Sequence, residues 1–256
     1  MSLARLALRL STVKALINRT LAEDRVRDSE IGPLDEGERE EPAPIISVYT
    51  DAATLEVARR DLLSQRGVHQ LVIETAITTR MKNKAGWQIP LTDAGMEMSL
   101  EVINRQITIA LMDPASEWAE IWRRFAFING ETKLETGASA KSGVRYAGHR
   151  FMVPVELVKD PVPGEPLSEL WETFFAKAET EADLAPTVQM MRDLAAGSQN
   201  FNAWQGLRAA YGITSLEAKA LQIEPATANE AAPPISEIGL DEAAAGNGND
   251  VDEVQL

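Results

Sequence analysis

The sequence predicts an α+β fold: a small mixed or antiparallel sheet flanked by amphipathic helices, with a helical C-terminal extension and a disordered acidic tail. Three observations carry this. Segments 45–50 (Ile-Ile-Ser-Val-Tyr-Thr) and 68–80 are rich in β-branched residues, which suit a pleated surface. In the second, Leu71, Ile73, Thr75, Ile77 and Thr79 alternate with Val72, Glu74, Ala76, Thr78 and Arg80. That is the period of a long strand with one face on a core and one nearer water. Phe151–Val158 repeats the pattern, with Phe151, Val153, Val155 and Leu157 on one face. Pro154 cannot donate to a ladder, so this third strand is expected at an edge or a bulge.

The remaining elements follow in chain order. Leu3, Leu6, Leu10, Val13, Ile17 and Leu21 recur at three- and four-residue steps, predicting an amphipathic helix over 2–21 with Ser2 as its cap. Such a basic amphipathic helix packs on its own sheet, docks on another subunit or lies on a membrane surface; the first is favoured. Residues 23–44 hold Gly32-Pro33, an acidic run over 35–41 and Pro42-Ala43-Pro44, an extended loop entering the first strand. Thr54–Ser64 is a short helix or an irregular connection. Arg66-Gly67 turns into the long strand.

Asp93 caps a helix that buries Met96, Leu100, Ile103, Ile107 and Leu111. Asp113-Pro114 reads as a cap followed by proline in the first helical position. The helix it opens carries the apolar stripe Trp118, Ile121, Trp122 and Phe125. Residues 129–150 are polar and Gly-rich, strand-like only over 131–136. Leu167, Leu170, Trp171 and Phe174 mark another helix, 183–196 a weaker one, and Phe201 to Tyr211 one more, ended by Gly212. Residues 213–224 fit helix or strand. From Pro225 onward the Ala-, Pro-, Gly- and acid-rich composition predicts disorder.

Composition narrows the function. A chain of 256 residues can bury a sizeable core, and without cysteine it has no disulfides or thiolate metal sites. No apolar run reaches the roughly 18 residues of a membrane span, and no signal peptide is expected. The net charge is −14, unevenly placed: +4 over 1–22, −6 over 23–45 and −7 over 229–256. That balance argues against a nucleic-acid binder working through a basic footprint.

Catalytic signatures are missing from the sequence. The two histidines, His69 and His149, could share a metal, but no motif places a third ligand. There is no nucleophile elbow and no dinucleotide fingerprint. Gly137–Gly143 imitates a phosphate loop, but its second glycine follows the serine instead of preceding the lysine. No catalytic residue, cofactor or metal site is expected.

Three stretches resemble the tail-terminator, or tail-completion, proteins of long-tailed bacteriophages and prophage-derived particles. They are Ala4–Leu10 with Val13–Leu16; Arg25-Val26-Arg27-Asp28-Ser29; and Pro42–Asp51, which contains Pro-x-Ile-x-Val-Tyr-Thr-Asp. The long strand, the Asp93 helix and the Phe151–Val158 strand follow in the family's order, so the likeness covers about 2–158. The resemblance implies a hexameric ring on the head-proximal end of the tail tube. Such a ring stops tube polymerisation and presents a surface to the head connector or neck protein. It also implies a virion protein assembled in the bacterial cytoplasm. DNA would pass through the lumen without sequence-specific binding. On this reading 1–158 is the tail-terminator-like domain, 159–224 a helical extension packing on it, and 225–256 the acidic tail. The alternatives are another neck or baseplate ring protein, or an enzymatic or small-molecule-binding α+β protein.

The residues expected at subunit or tube interfaces are Leu6 and Leu10 on the first helix, Pro154 at the supposed edge, and Arg80, Lys82 and Lys84. The last three belong to a basic loop projecting from the longest strand, suited to an acidic partner surface.

Overall fold

A computed structural model describes residues 2–29, 44–56, 66–80, 93–141, 144–162, 165–196, 205, 208 and 211–222. It shows the predicted α+β class, with a mixed sheet of six strands and helices packed on it. The chain order is α1 (Leu3–Leu16), β1 (Val26–Asp28), β2 (Pro44–Glu56), β3 (Arg66–Arg80), α2 (Asp93–Leu111), α3 (Glu117–Phe125), β4 (Ala126–Ile128), β5 (Lys133–Lys141), β6 (Val144–Leu157), α4 (Glu169–Glu179), α5 (Ala185–Ala196) and α6 (Ser215–Ala220).

The sheet runs β1-β2-β3-β6-β4, with β5 also on β6. Only β1 and β2 are parallel; the other pairs are antiparallel. Alternation decides which face of each strand meets the helices. Ile46 and Val48, then Leu71, Ile73 and Ile77, then Val153 and Val155 all lie in one core with α1, α2 and α3. The opposite face is not simply wet, as the period-two reading expected: Val72 and Ala76 are also buried there.

Helix α1 packs on its own sheet, the favoured of the three readings, but it ends at Leu16 and is buried more fully than an amphipathic helix requires. No residue from Ser2 to Ile17 is exposed. It packs against α2, α3, β1 and β2, so it is a central helix and not a surface one. Its small polar residues make this tolerable: Ser11 and Thr12 hydroxyls donate to the Leu8 carbonyl at 2.9 and 2.6 Å, so they are buried without loss of a partner. At its N-terminus the Asp160 carboxylate accepts from the Leu3 and Ala4 amides at 3.1 and 2.7 Å and from the Ser2 hydroxyl at 2.9 Å. A remote carboxylate thus satisfies the free amides of the first turn and complements the helix dipole.

The Phe151–Val158 strand is not at an edge. It is the C-terminal part of β6, which is paired on both sides, to β3 and to β4 and β5. Proline is accommodated because β4 and β5 occupy successive parts of the same side. Between them the chain leaves the ladder at 129–132, opposite Pro154. The Asn129 amide still donates to the Pro154 carbonyl at 3.0 Å. In an antiparallel ladder a residue's amide and carbonyl face the same neighbour, so the donor that proline lacks falls in this gap.

Other boundaries also move. Thr54–Glu56 continue β2 and are not helical; 57–65 lie outside the described residues. Asp113 does not cap α3. Its carboxylate accepts from the Ala115 amide at 2.9 Å in a turn, and Ser116 is the cap, accepting from Ala119. Residues 213–224 resolve partly as α6, capped by Thr214 in a capping box with Glu217.

The C-terminal helices share the core. Phe125 of α3 meets Trp171 and Phe174 of α4 edge-on, with ring centroids 5.0 and 5.6 Å apart. Val188 and Met191 of α5 belong to the same cluster. Residues 223–256, which include the acidic tail, lie outside the described residues.

Candidate assembly surfaces

The three stretches that carry the family resemblance interlock around α1. Arg5 donates to the Thr50 carbonyl and hydroxyl at 3.1 and 2.9 Å and to the Asp51 carbonyl at 3.4 Å. Arg9 forks onto Asp28 through Nε at 2.6 Å and through a terminal nitrogen at 3.3 Å. Arg25 donates to the Pro44 carbonyl at 3.0 Å. Tyr49 donates to Glu74 at 2.8 Å, while Asp51 accepts from Arg150 at 2.8 Å. Burial and the neighbouring Glu74 carboxylate push the Tyr49 phenol up to about 12. The Tyr-Thr-Asp end of the entry strand therefore ties β2 to α1 on one side and to β3 and β6 on the other.

Two surfaces of the sheet and its helices lack a covering partner among the described residues. The first is the outer edge of β5, a strand that shares one end with β3 and β6. Register places Arg80 opposite Val144, Arg145 opposite Thr79, and Lys141 at the same end. Three basic residues from three strands thus share one end of the sheet, and Lys82 and Lys84 lie outside the described residues. Strand β5 pairs only with β6 among the described residues, and residues 131–137, toward its other end, are all exposed. Such a strand presents a row of unpaired amides and carbonyls.

The second surface is the outer side of α2. Met98, Val102, Ile109 and Met112 are 59, 41, 54 and 55% exposed. With Arg105 they step by four and three residues, so they form one stripe along the helix. It lies opposite the buried Met96, Leu100, Ile103, Ile107 and Leu111 that the sequence identified.

The interface residues expected from the sequence are distributed unevenly. Leu10 is 5% exposed and Leu6 is packed against the core, so Leu10 offers no surface to a partner and α1 does not dock elsewhere through this face. Pro154 is buried inside the sheet. Arg80 ends β3 at the basic tip. Lys82 and Lys84 lie outside the described residues. The α2 stripe was missed because the apolar residues of that helix were counted on one face only.

Beside the core, Lys14 makes two ion pairs. Lys14, with 10% of its side chain exposed, donates to Glu181 at 2.9 Å and Asp183 at 2.7 Å. Burial pulls the ammonium pKa down, but the hydrogen bonds to Asp183 and Glu181 outweigh it and hold it up. The bond from Lys14 holds the Glu181 carboxyl below its ordinary value, helped by the Trp118 indole. The histidines do not meet: His69 pairs with Val155 and His149 with Thr75, six positions along the strands or roughly 20 Å at about 3.3 Å per residue. His149 instead faces α2, where Glu97 and Glu101 stand beside it.

Comparison with protein-family models and with curated proteins finds no match to this chain. No helix among the described residues is long and apolar enough to cross a membrane.

Proposed function

We propose that the protein is the subunit of a closed ring at the head-proximal end of a phage tail tube, where it ends tube polymerisation and joins the tail to the head connector. The observation that carries this reading is the interlocking of the three family-like stretches. Arg5, Arg9 and Arg25 each reach from one stretch into another, so the resemblance follows a single structural unit and not scattered similarities. The α+β frame around it is compatible with the family.

Two further features favour assembly. A lone subunit leaves the α2 stripe and the β5 edge in water, whereas a ring offers each a place against the next copy. Heterologous contacts of this kind close when their rotation divides a full turn. The basic tip suits an acidic surface on the tube or the neighbouring subunit, where rim charges set approach and register.

The test is a length assay. The tail tube protein of the same particle is polymerised with and without the purified chain. Tubes of capped length, with the chain bound at one end, are expected. Tubes equally long in both samples, with no chain bound, would contradict the proposal.

A further inference from the structure

We propose that Glu97, Glu101 and His149 bind a divalent transition-metal ion of the zinc class, which ties α2 to β6. The two glutamates lie one helical turn apart on α2 and project beside the same point of the sheet. One ligand atom from each of the three side chains lies within 4.8 Å of the others. His149 Nε2 is 3.1 Å from Glu97 Oε1, and the ring is only 1% exposed. Ligand atoms around a four-coordinate ion at about 2.0–2.1 Å are separated by roughly 3.3 Å. The observed spread is closed by rotation of the two glutamates, whose exposure leaves them free to turn.

Two buried, unsatisfied oxygens belong to neighbours of His149, Asn104 on α2 and Thr75 on β3. Asn104, one turn beyond Glu101 on α2, has Nδ2 2.5 Å from His149 Nδ1, while its Oδ1 is buried without a partner. Thr75 is fully buried, pairs with His149 across β3 and β6, and its hydroxyl has no partner. With Nδ2 donating to Nδ1, Nε2 carries the proton and points it at Glu97. A half-turn of the Asn104 amide exchanges its oxygen and nitrogen. Oδ1 then accepts from Nδ1–H, and the Nε2 lone pair faces both carboxylates. That lone pair and two negative groups repel one another unless a proton or a metal ion lies between them. The arrangement matches the outer partner that fixes the tautomer of a metal-bound histidine.

The donor set chooses the ion. One imidazole nitrogen and two carboxylates suit zinc and its first-row neighbours; calcium and magnesium take oxygen donors only. The remaining coordination positions face solvent and take water. This inference does not rest on the ring proposal, since the three residues lie within one subunit.

The test uses the full chain, stripped with EDTA and dialysed, then titrated with zinc chloride by calorimetry while the melting temperature is followed. One ion per chain is expected, with a raised melting temperature and no competition from millimolar magnesium. Glu101→Gln should weaken zinc more than tenfold and remove the melting shift, with the metal-free melting unchanged because Glu101 is on the surface. Asn104→Leu should weaken binding about 10- to 100-fold, and Asn104→Asp should keep it, because Asp accepts from Nδ1–H as the turned amide does. No saturable zinc binding, or equal affinity in the wild type and Glu101→Gln, would overturn the proposal.

Discussion

At the scale of single residues, long-range polar contacts fix how α1 sits in the molecule. Asp160 is the clearest case, because it caps a helix 156 to 158 positions away in sequence. Asp160→Ala should lower stability by about 1–2 kcal/mol, the range for losing a helix cap, measured as a shift in the urea midpoint at constant slope. An unchanged midpoint would remove Asp160 from this role. Glu181 makes a pH prediction. Its folded carboxyl lies below the ordinary value of 4.5, so the stability it adds is fully present above that value and is lost as pH falls through the lower, folded one. Lys14→Met removes the main cause, and should make the acid limb of the stability profile shallower below about pH 4.5; parallel profiles would show that the pair is not responsible. None of these contacts was legible in the sequence. Asp160 is 156 to 158 positions from the groups it caps, Glu181 looked like an ordinary member of an acidic chain, and Glu97 and His149 are 52 positions apart. Local spacing cannot show what the fold brings together.

At the scale of elements, period and length decided what could be read. The apolar stripe of α3, the core face of β3 and the buried face of α2 were legible because each repeats several times. Strands β1 and β4 have three residues each, too few to show a period, and were not predicted. Pro154 misled for a physical reason: a missing donor argues for an edge only when nothing interrupts the neighbouring strand, and here 129–132 does. Helix α1 is buried more completely than its apolar stripe implied, because the Ser11 and Thr12 hydroxyls are satisfied by the Leu8 carbonyl. A paired substitution separates the buried and exposed helix surfaces. Leu10→Ala should cost about 2–5 kcal/mol, as large-to-small changes in cores do, and Ile109→Ala less than about 0.5 kcal/mol in the isolated subunit. Comparable losses at the two positions would contradict the assignment of α1 to the core and of the α2 stripe to the surface.

At the scale of the whole molecule, the C-terminal helices share one core with the elements before them. Trp171, Phe174 and Phe175 are each at most 2% exposed and complete the aromatic cluster begun by Phe125. A chain ended at residue 158 would expose that cluster and also lose Asp160, so it should show no cooperative thermal transition; a sharp transition near that of the full chain would mean the first 158 residues fold alone. The frame that results is one core with an apolar helix stripe, an open strand and a basic tip left over. The ring proposal turns those surfaces into subunit and tube contacts. Its most direct test is the rotational symmetry of averaged images of tails carrying this protein. Six-fold density at the head-proximal end of the tube is the expected result, and density of another symmetry, or none of this protein at that end, would contradict it.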